Sequence, residues 1–349
     1  MITLTAASYY TRRIIKFGSI SLVAFLILRF IFGISVAYWK KLHPPPPPPP
    51  TVAFGKLPAL TFPKIENLPS MSFKLETIEG ILPKLDSQSK VYFIPKANAN
   101  LLALDRTRAL AASLGFQSDP KQISDRTYLF SGKDPNSSLE IDIITLKFKM
   151  IYNFTNDQSI LAEKKLPDSN QTIQEGVAFF NRAGLMSDDL ITGEQKISYW
   201  RYIPPDLQSV VSLSEADFVR VDFFRADIEK FKVLPPNPKQ AQVSLMFSGN
   251  RDLAKRIVEA DYLYRPISKE NPATYPLKTA EAAWQDLTGG KGYIASLGEN
   301  DDGRITVRKV SLAYYESNDI QNFLQPIYVF EGDHNFMAYV PAVDSQWVE

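Results

Sequence analysis

Paired carboxylates, a lone histidine, an Asn-Asp-Asp turn and a glycine-rich run are where this sequence brings chemistry-bearing residues close together. Glu215 with Asp217, and Asp222 with Asp227, are the residue types of a glycoside hydrolase, in which one carboxyl donates a proton while the other attacks or activates water. Spacing along the chain does not set the separation this chemistry needs, so structural or solvated carboxylates are the favoured account. His334, between Asp333 and Asn335, has the setting of a turn residue more than that of a metal ligand or base. Asn300-Asp301-Asp302 begins like a calcium loop, but no glutamate stands where the loop would close, which leaves a β-turn. Gly289-Gly290-Lys291-Gly292 lacks the Ser or Thr of a phosphate loop and follows a helical pattern instead of opening one, so it is expected to stop a helix.

Composition narrows the chemistry further. The 349 residues contain no Cys, which removes thiolate, disulfide and iron-sulfur chemistry, and only two His, His43 and His334. The 39 basic residues nearly cancel the 38 acidic ones, so no global field would hold a nucleic acid. No cofactor or metal is expected.

The elements that would position these residues begin with a membrane segment. Residues 17–39 (FGSISLVAFLILRFIFGISVAYW) are apolar apart from Arg29, and 23 residues of helix reach roughly 34 Å against a hydrocarbon core of about 30 Å. Arg12, Arg13 and Lys16 precede the span; Lys40 and Lys41 follow it. That bias predicts a cytoplasmic tail, 1–16, and an extracytoplasmic remainder at the plasma membrane. Ser35-Val36-Ala37 resembles a signal-peptidase site, but the long apolar run and the Tyr-Trp-Lys-Lys flank favour an uncleaved anchor. Arg29 either snorkels or pairs with a polar group in a partner's membrane helix. Residues 40–80 contain seven consecutive prolines, Pro44–Pro50, and are expected to form an extended polyproline stalk; an SH3 or WW ligand is the weaker reading.

Beyond the stalk the pattern is α+β. LLALDRTRALAASLGF and TIQEGVAFFNRAGL each have helical periodicity and a glycine at the C-cap, and each leads to an aromatic strand, RTYLF or ISYWRY. Alternating segments, LEIDIITLKFKMIYNF and DFVRVDFFRADI, follow them. Two related helix-on-sheet units are therefore assigned to 81–234. A third lobe is assigned to 235–349: strand QVSLMFS, helix RDLAKRIVEADYLY, a Thr279-capped helix AEAAWQDLTGG, then strands GYIASLG, RITVRKVSLAYYE, QPIYVFEG and FMAYVPAV. The aromatic alternation of Tyr314, Tyr315, Tyr328 and Phe330 is most simply sheet packing; its exposed half is the candidate lining of a peptide groove.

Within that last block, Thr279-Ala280-Glu281-Ala282-Ala283-Trp284, Gly290-Lys291-Gly292-Tyr293-Ile294, Val310-Ser311-Leu312-Ala313-Tyr314-Tyr315, Leu324–Gly332 and Phe336–Val343 form a pattern that resembles the C-terminal lobe of YycH/YycI-type regulators. The resemblance covers about 70 residues and implies a single-pass membrane protein with repeated PepSY-like extracytoplasmic lobes. It also implies a non-enzymatic role, modulation of an envelope sensor kinase. The polyproline stalk and Arg29 depart from that family. The expected partners are the lipid bilayer and a membrane or envelope protein, either such a kinase or a second copy, contacted through Arg29 and the aromatic strands. A carboxylate-dependent envelope hydrolase and a structural envelope subunit are the alternatives.

Overall fold

The computed structural model describes residues 4–42, 48–98 and 101–349. His43 and prolines 44–47, most of the expected polyproline run, lie outside the described residues. The chain falls into two units, Met1–Pro49 and Pro50–Glu349.

In the first unit a single helix, α1, runs from Leu4 to Leu42. It starts inside the expected tail because nothing between Leu4 and Phe17, neither Pro nor Gly, interrupts helical geometry. Its 30-residue stretch Thr11–Lys40 is long and apolar enough to cross a membrane, and none of it is covered by protein. The expected span 17–39 lies within this stretch, and Arg29 is exposed along it.

In the second unit the longer helices are α2 (Ala103–Ser113), α4 (Ser169–Arg182) and α7 (Ala280–Thr288). Short turns α3 (Ser159–Ala162), α5 (Asp188–Ile191) and α6 (Leu253–Arg256) lie between them. All three longer helices stop in the same way. Gly115, Gly184 and Gly290 take φ of 96°, 67° and 76°, and the following amide returns to the last turn: Phe116 N to Ala111 O (2.8 Å), Leu185 N to Phe180 O (2.9 Å) and Lys291 N to Asp286 O (2.8 Å). That closure needs a left-handed residue, which glycine adopts without a Cβ penalty. Thr279 caps α7 by accepting from Ala282 N at 3.2 Å.

One antiparallel sheet joins β3 (Lys121–Gln122), β4 (Thr127–Ser131), β5 (Ser137–Asp142), β6 (Phe148–Tyr152), β7 (Gln195–Ile203), β8 (Asp206–Val210), β9 (Phe218–Phe223), β11 (Val243–Ser248) and β12 (Ile257–Tyr262). Its order is β3-β4-β5-β6-β12-β11-β9-β7-β8. The two expected helix-on-sheet units thus lie side by side, and the β11–β12 hairpin joins them. Leu110 and Ala111 of α2 and Phe179 and Phe180 of α4 share one core with Leu139, Ile141, Val221, Leu245 and Ala260 from the strands.

This corrects the expected boundary at 234/235. It also corrects the expected helix over 251–264, which is four residues of helix followed by β12. Val258, Ala260 and Tyr262 are buried while Glu259 and Asp261 are not, the period-two pattern of a strand with β11 on one side and β6 on the other.

The second sheet is built from β1 (Ser72–Leu75), β2 (Gln88–Phe93), β10 (Val233–Leu234), β13 (Ser268–Pro276), β14 (Tyr293–Ser296), β15 (Arg304–Tyr315), β16 (Phe323–Gly332) and β17 (Met337–Pro341). Its main path is β1-β15-β16-β17-β14, with β10 also on β15 and β2 bridging β13 to β16. On one face α7 places Ala283 and Leu287 against Leu312, Phe330 and Val340. The other face, with Ala313, Tyr315, Val329 and Tyr339, is covered by Leu60 and Phe62.

Residues 50–80 are therefore not a free stalk. Leu57 is fully buried and pairs with the C-terminus: its amide donates to Trp347 O at 2.8 Å and its carbonyl accepts from Glu349 N at 2.9 Å. The Phe62 ring lies 4.9 Å from Tyr293 and 4.6 Å from Tyr315, and β1 pairs in parallel with β15. Proline keeps this stretch extended, but the Leu, Phe and Val residues between the prolines insert into a core that exists only once the sheet has formed.

Candidate functional site

Between the two sheets lies a cleft, closed at its base by Arg225, the second residue beyond β9. Nη2 and Nε of Arg225 donate to Glu316 at 2.8 and 3.2 Å, Nη1 donates to Asp189 at 2.6 Å, and Nη2 also reaches the Arg265 carbonyl at 2.8 Å. The guanidinium sits 4.3 Å from the centre of the Tyr264 ring, and its side chain is only 4% exposed. Burial works against its charge; Glu316 and then Asp189 overcome that and hold its pKa above the ordinary arginine value. Since Asp189 and Arg225 belong to the first sheet's units and Glu316 directly follows β15, this cluster joins the two sheets.

The cleft has a volume of about 830 Å³. One wall is Thr192–Glu194, Lys196 of β7 and Phe224–Asp227; the other is Lys230 and Lys232–Leu234; the floor is the β15–β16 surface of Lys309, Ser311, Ala313, Val329 and Glu331. Lys309 pairs with Glu331 at 2.8 Å and Lys230 with Asp86 at 2.7 Å. Lys196 and Lys232 make no ion pair within 4 Å among the described residues, and neither do the lining carboxylates Glu194 and Asp227; Lys196 lies opposite Asp222 in the β7–β9 pair, so the cleft is mixed in charge.

One edge of β15 beside this cleft is only partly paired. β1 takes Arg304–Val307 and β10 takes Tyr314 and Tyr315, while β16 occupies the opposite edge. From Arg308 to Ala313 no strand pairs with the β1/β10 edge among the described residues. Tyr314 N donates to Lys232 O at 2.8 Å and Glu316 N to Leu234 O at 3.0 Å. By the two-residue alternation of a strand, the amides and carbonyls of Val310 and Leu312 point toward the same edge.

A second, smaller cavity of about 540 Å³ lies over the face of the nine-stranded sheet away from α2 and α4. Here Arg220 donates to Asp222 (3.1 Å), Glu259 (3.2 Å) and Ser244 (2.8 Å). Burial pushes the Asp222 carboxyl up against the pull of Arg220. Asp261 is pushed up to about 6, by burial first and by its hydrogen-bonded neighbour Glu259 second. Lys149, 3.9 Å away, is too distant to offset this.

The structure disperses the residues singled out in the sequence. Tyr314, Tyr315, Tyr328 and Phe330 are at most 1% exposed, so none lines a groove. Adjacent residues of a strand point to opposite faces, and here Tyr328 and Phe330 share the α7 core, Tyr315 lies under the 60–62 segment, and Tyr314 packs with Tyr92, Ile228 and Leu324. Their hydroxyls are also occupied: Tyr314 donates to Lys90 O, Tyr315 to Thr61 O and Tyr328 to Lys278 O. Asp217 pairs with Lys164 at 2.9 Å and accepts from Tyr202 N, while Glu215 is exposed on a separate turn. Asp222 belongs to the Arg220 cluster, whereas Asp227 lines the larger cleft. Asn300 and Asp333 do meet, through Asn300 Nδ2 to Asp333 O at 3.1 Å, but as two tied turns with His334 exposed between them. Among the described residues no group of His, Cys, Asp or Glu has metal-binding geometry. The lysines and the open edge of β15 were missed because Lys196 and Lys309 are far apart in sequence and an unpaired edge leaves no compositional mark. The brevity of β10 is the one local hint.

No protein-family model and no curated protein matches the chain. Among solved structures, an uncharacterized protein from Eubacterium rectale aligns over 76% of this chain and 86% of its own length, with 11% identity and a TM-score of 0.41. The YpeB C-terminal domain of Bacillus megaterium aligns over 71% of this chain and 95% of its own length, with 12% identity and a TM-score of 0.28.

Proposed function

We propose that this protein is a membrane-anchored, extracytoplasmic binding module of the bacterial envelope, with PepSY-like lobes, that regulates a membrane or envelope partner such as a sensor kinase without catalysing a reaction. The observation that carries this reading is the occurrence, in one chain, of an apolar α1 and a sheet-rich unit whose inter-sheet cleft presents a partly unpaired strand edge. Open edges are surfaces on which another chain docks. The carboxylates that a hydrolase would use are divided among separate ion pairs, with Asp217 on Lys164 and Asp222 on Arg220. The resemblance of the 279–343 block to YycH/YycI-type regulators favours the same reading, with α1 inserted N-terminus inward and Arg29 as its contact for a partner's helix.

Photo-crosslinking in native membranes, with the reactive residue at Ser311 in the cleft and at Arg29 in α1, tests it. A membrane kinase or other envelope protein captured at either position supports the reading. Self-links alone would move the assignment to a structural subunit, and hydrolysis of purified cell wall by the full chain, abolished by Asp227→Asn, would replace it with an enzyme.

A further inference from the structure

We infer that Arg29 and the two glycines of α1 form the face on which a membrane helix of a different protein docks, and that this partner helix carries an aspartate or glutamate at mid-depth. The inference deepens the reading of Arg29 as a partner contact and rests on it.

Depth is the first observation. About 20 Å of helix separates Arg29 from Lys16 and about 17 Å separates it from Lys40, the nearest charges on either side. In a hydrocarbon core of about 30 Å, that places Arg29 at the middle of the bilayer. From there a snorkelling side chain leaves its guanidinium short of the headgroups. Arg29 is exposed on α1 and makes no ion pair among the described residues. A guanidinium held at such a depth is stabilised by a carboxylate, which accepts two parallel, charge-assisted hydrogen bonds where no water competes.

The face around Arg29 suits close approach. At about 100° per residue, Gly18 and Gly33 fall about 20° and about 40° from Arg29 around the helix. They are the two glycines of α1, and a Cβ at either would meet no atom within 4 Å. Small residues let two helix backbones come together, which brings the short side chain of a partner's Asp or Glu within reach of the guanidinium.

Charge decides against a second copy as the occupant. Every charged residue of α1 is basic, and no Asp or Glu precedes Glu66. A parallel pair of α1 helices would set Arg29 against Arg29 at the same depth, and no register of the pair offers a carboxylate. The complement has to come from another protein's helix.

Fluorescence energy transfer in phosphatidylcholine vesicles, with the full chain reconstituted and labelled, tests this. The probe is a Leu/Ala transmembrane peptide of about 20 residues with one Glu at its centre, and the control has Gln there. The Glu peptide should associate at least about tenfold more tightly than the Gln peptide, and Arg29→Leu should remove that difference while Arg29→Lys keeps part of it. Gly18→Leu combined with Gly33→Leu should weaken association with the Glu peptide severalfold, and two labelled copies of the chain should show no transfer to each other. Equal association of both peptides would overturn the inference. So would a preference for Glu that survives Arg29→Leu, association unchanged by the glycine substitutions, or self-association lost on Gly33→Leu. Those failures leave the binding-module reading standing if Ser311 still cross-links to an envelope protein in native membranes; loss of the cross-links at both Ser311 and Arg29 would remove that reading as well.

Discussion

Arg225 and Glu316 are 91 residues apart in sequence and share two hydrogen bonds, of 2.8 and 3.2 Å, at the junction of the two sheets. Both side chains are nearly inaccessible, at 4% and 9% exposure. Removing one partner strands the other's charge in a poorly hydrated site. Arg225→Ala and Glu316→Gln should each lower stability by about 3–5 kcal/mol in urea unfolding, while Arg225→Met with Glu316→Leu should lose clearly less. Equal losses in all three variants would show that packing, not the buried charge, holds the junction.

Asp261 sets a pH dependence of definite sign. Its pKa rises from an ordinary value of 3.8 to about 6 in the fold, so the folded chain holds this proton more tightly than the unfolded chain. The stabilisation is complete below about pH 4 and is lost as pH rises through about 6. Asp261→Asn should therefore raise the thermal midpoint at pH 8 by a few degrees, corresponding to about 2 kcal/mol, and change it little at pH 4. A variant less stable than the parent at pH 8 would mean that the ionised carboxylate is instead well satisfied by Lys149 and Arg220.

Leu57 separates a docked segment from a stalk. It is fully buried against the C-terminal residues, whereas Lys56 beside it is exposed. Leu57→Ala should cost about 2–5 kcal/mol, and Lys56→Ala almost nothing. In a free stalk the two substitutions would be equally silent in calorimetry.

Two glycines with similar backbone angles should respond differently to a methyl group. At Gly290, φ is 76° and a Cβ would meet no atom within 4 Å, so Gly290→Ala carries backbone strain alone, about 1 kcal/mol. At Gly298, φ is 64° and a Cβ would lie 1.8 Å from the His334 carbonyl oxygen, so Gly298→Ala must also push apart the two tied turns. The second variant should unfold at distinctly lower denaturant, and equal midpoints would refute the difference.

Several parts of this architecture were legible in the sequence because their causes are local. The apolar run of α1, the Thr279 cap, the glycine stops after α2, α4 and α7, and the turn at Asp301-Asp302-Gly303 each depend on a few adjacent residues. The strands β15, β16 and β17 were readable as runs rich in β-branched and aromatic residues bounded by turn residues. In the segment Ile257–Tyr262, helical and strand periods both fit a short apolar pattern. Pairing with β6 and β11 selected the strand.

By itself, the sequence determined an apolar helix long enough to cross a membrane, a cysteine-free α+β unit and the stops of its helices, since hydrophobic period and backbone freedom act within a few residues. Only the tertiary structure decided that Leu57 is core and not stalk, that Tyr314 and Tyr315 are buried on opposite faces, and that lysines from β7, β15 and the lead into β10 share one cleft beside an open edge. Those outcomes depend on which strands pair, and pairing is fixed by burial between segments as much as 292 residues apart, as in Leu57 against Glu349. No window along the chain contains both partners.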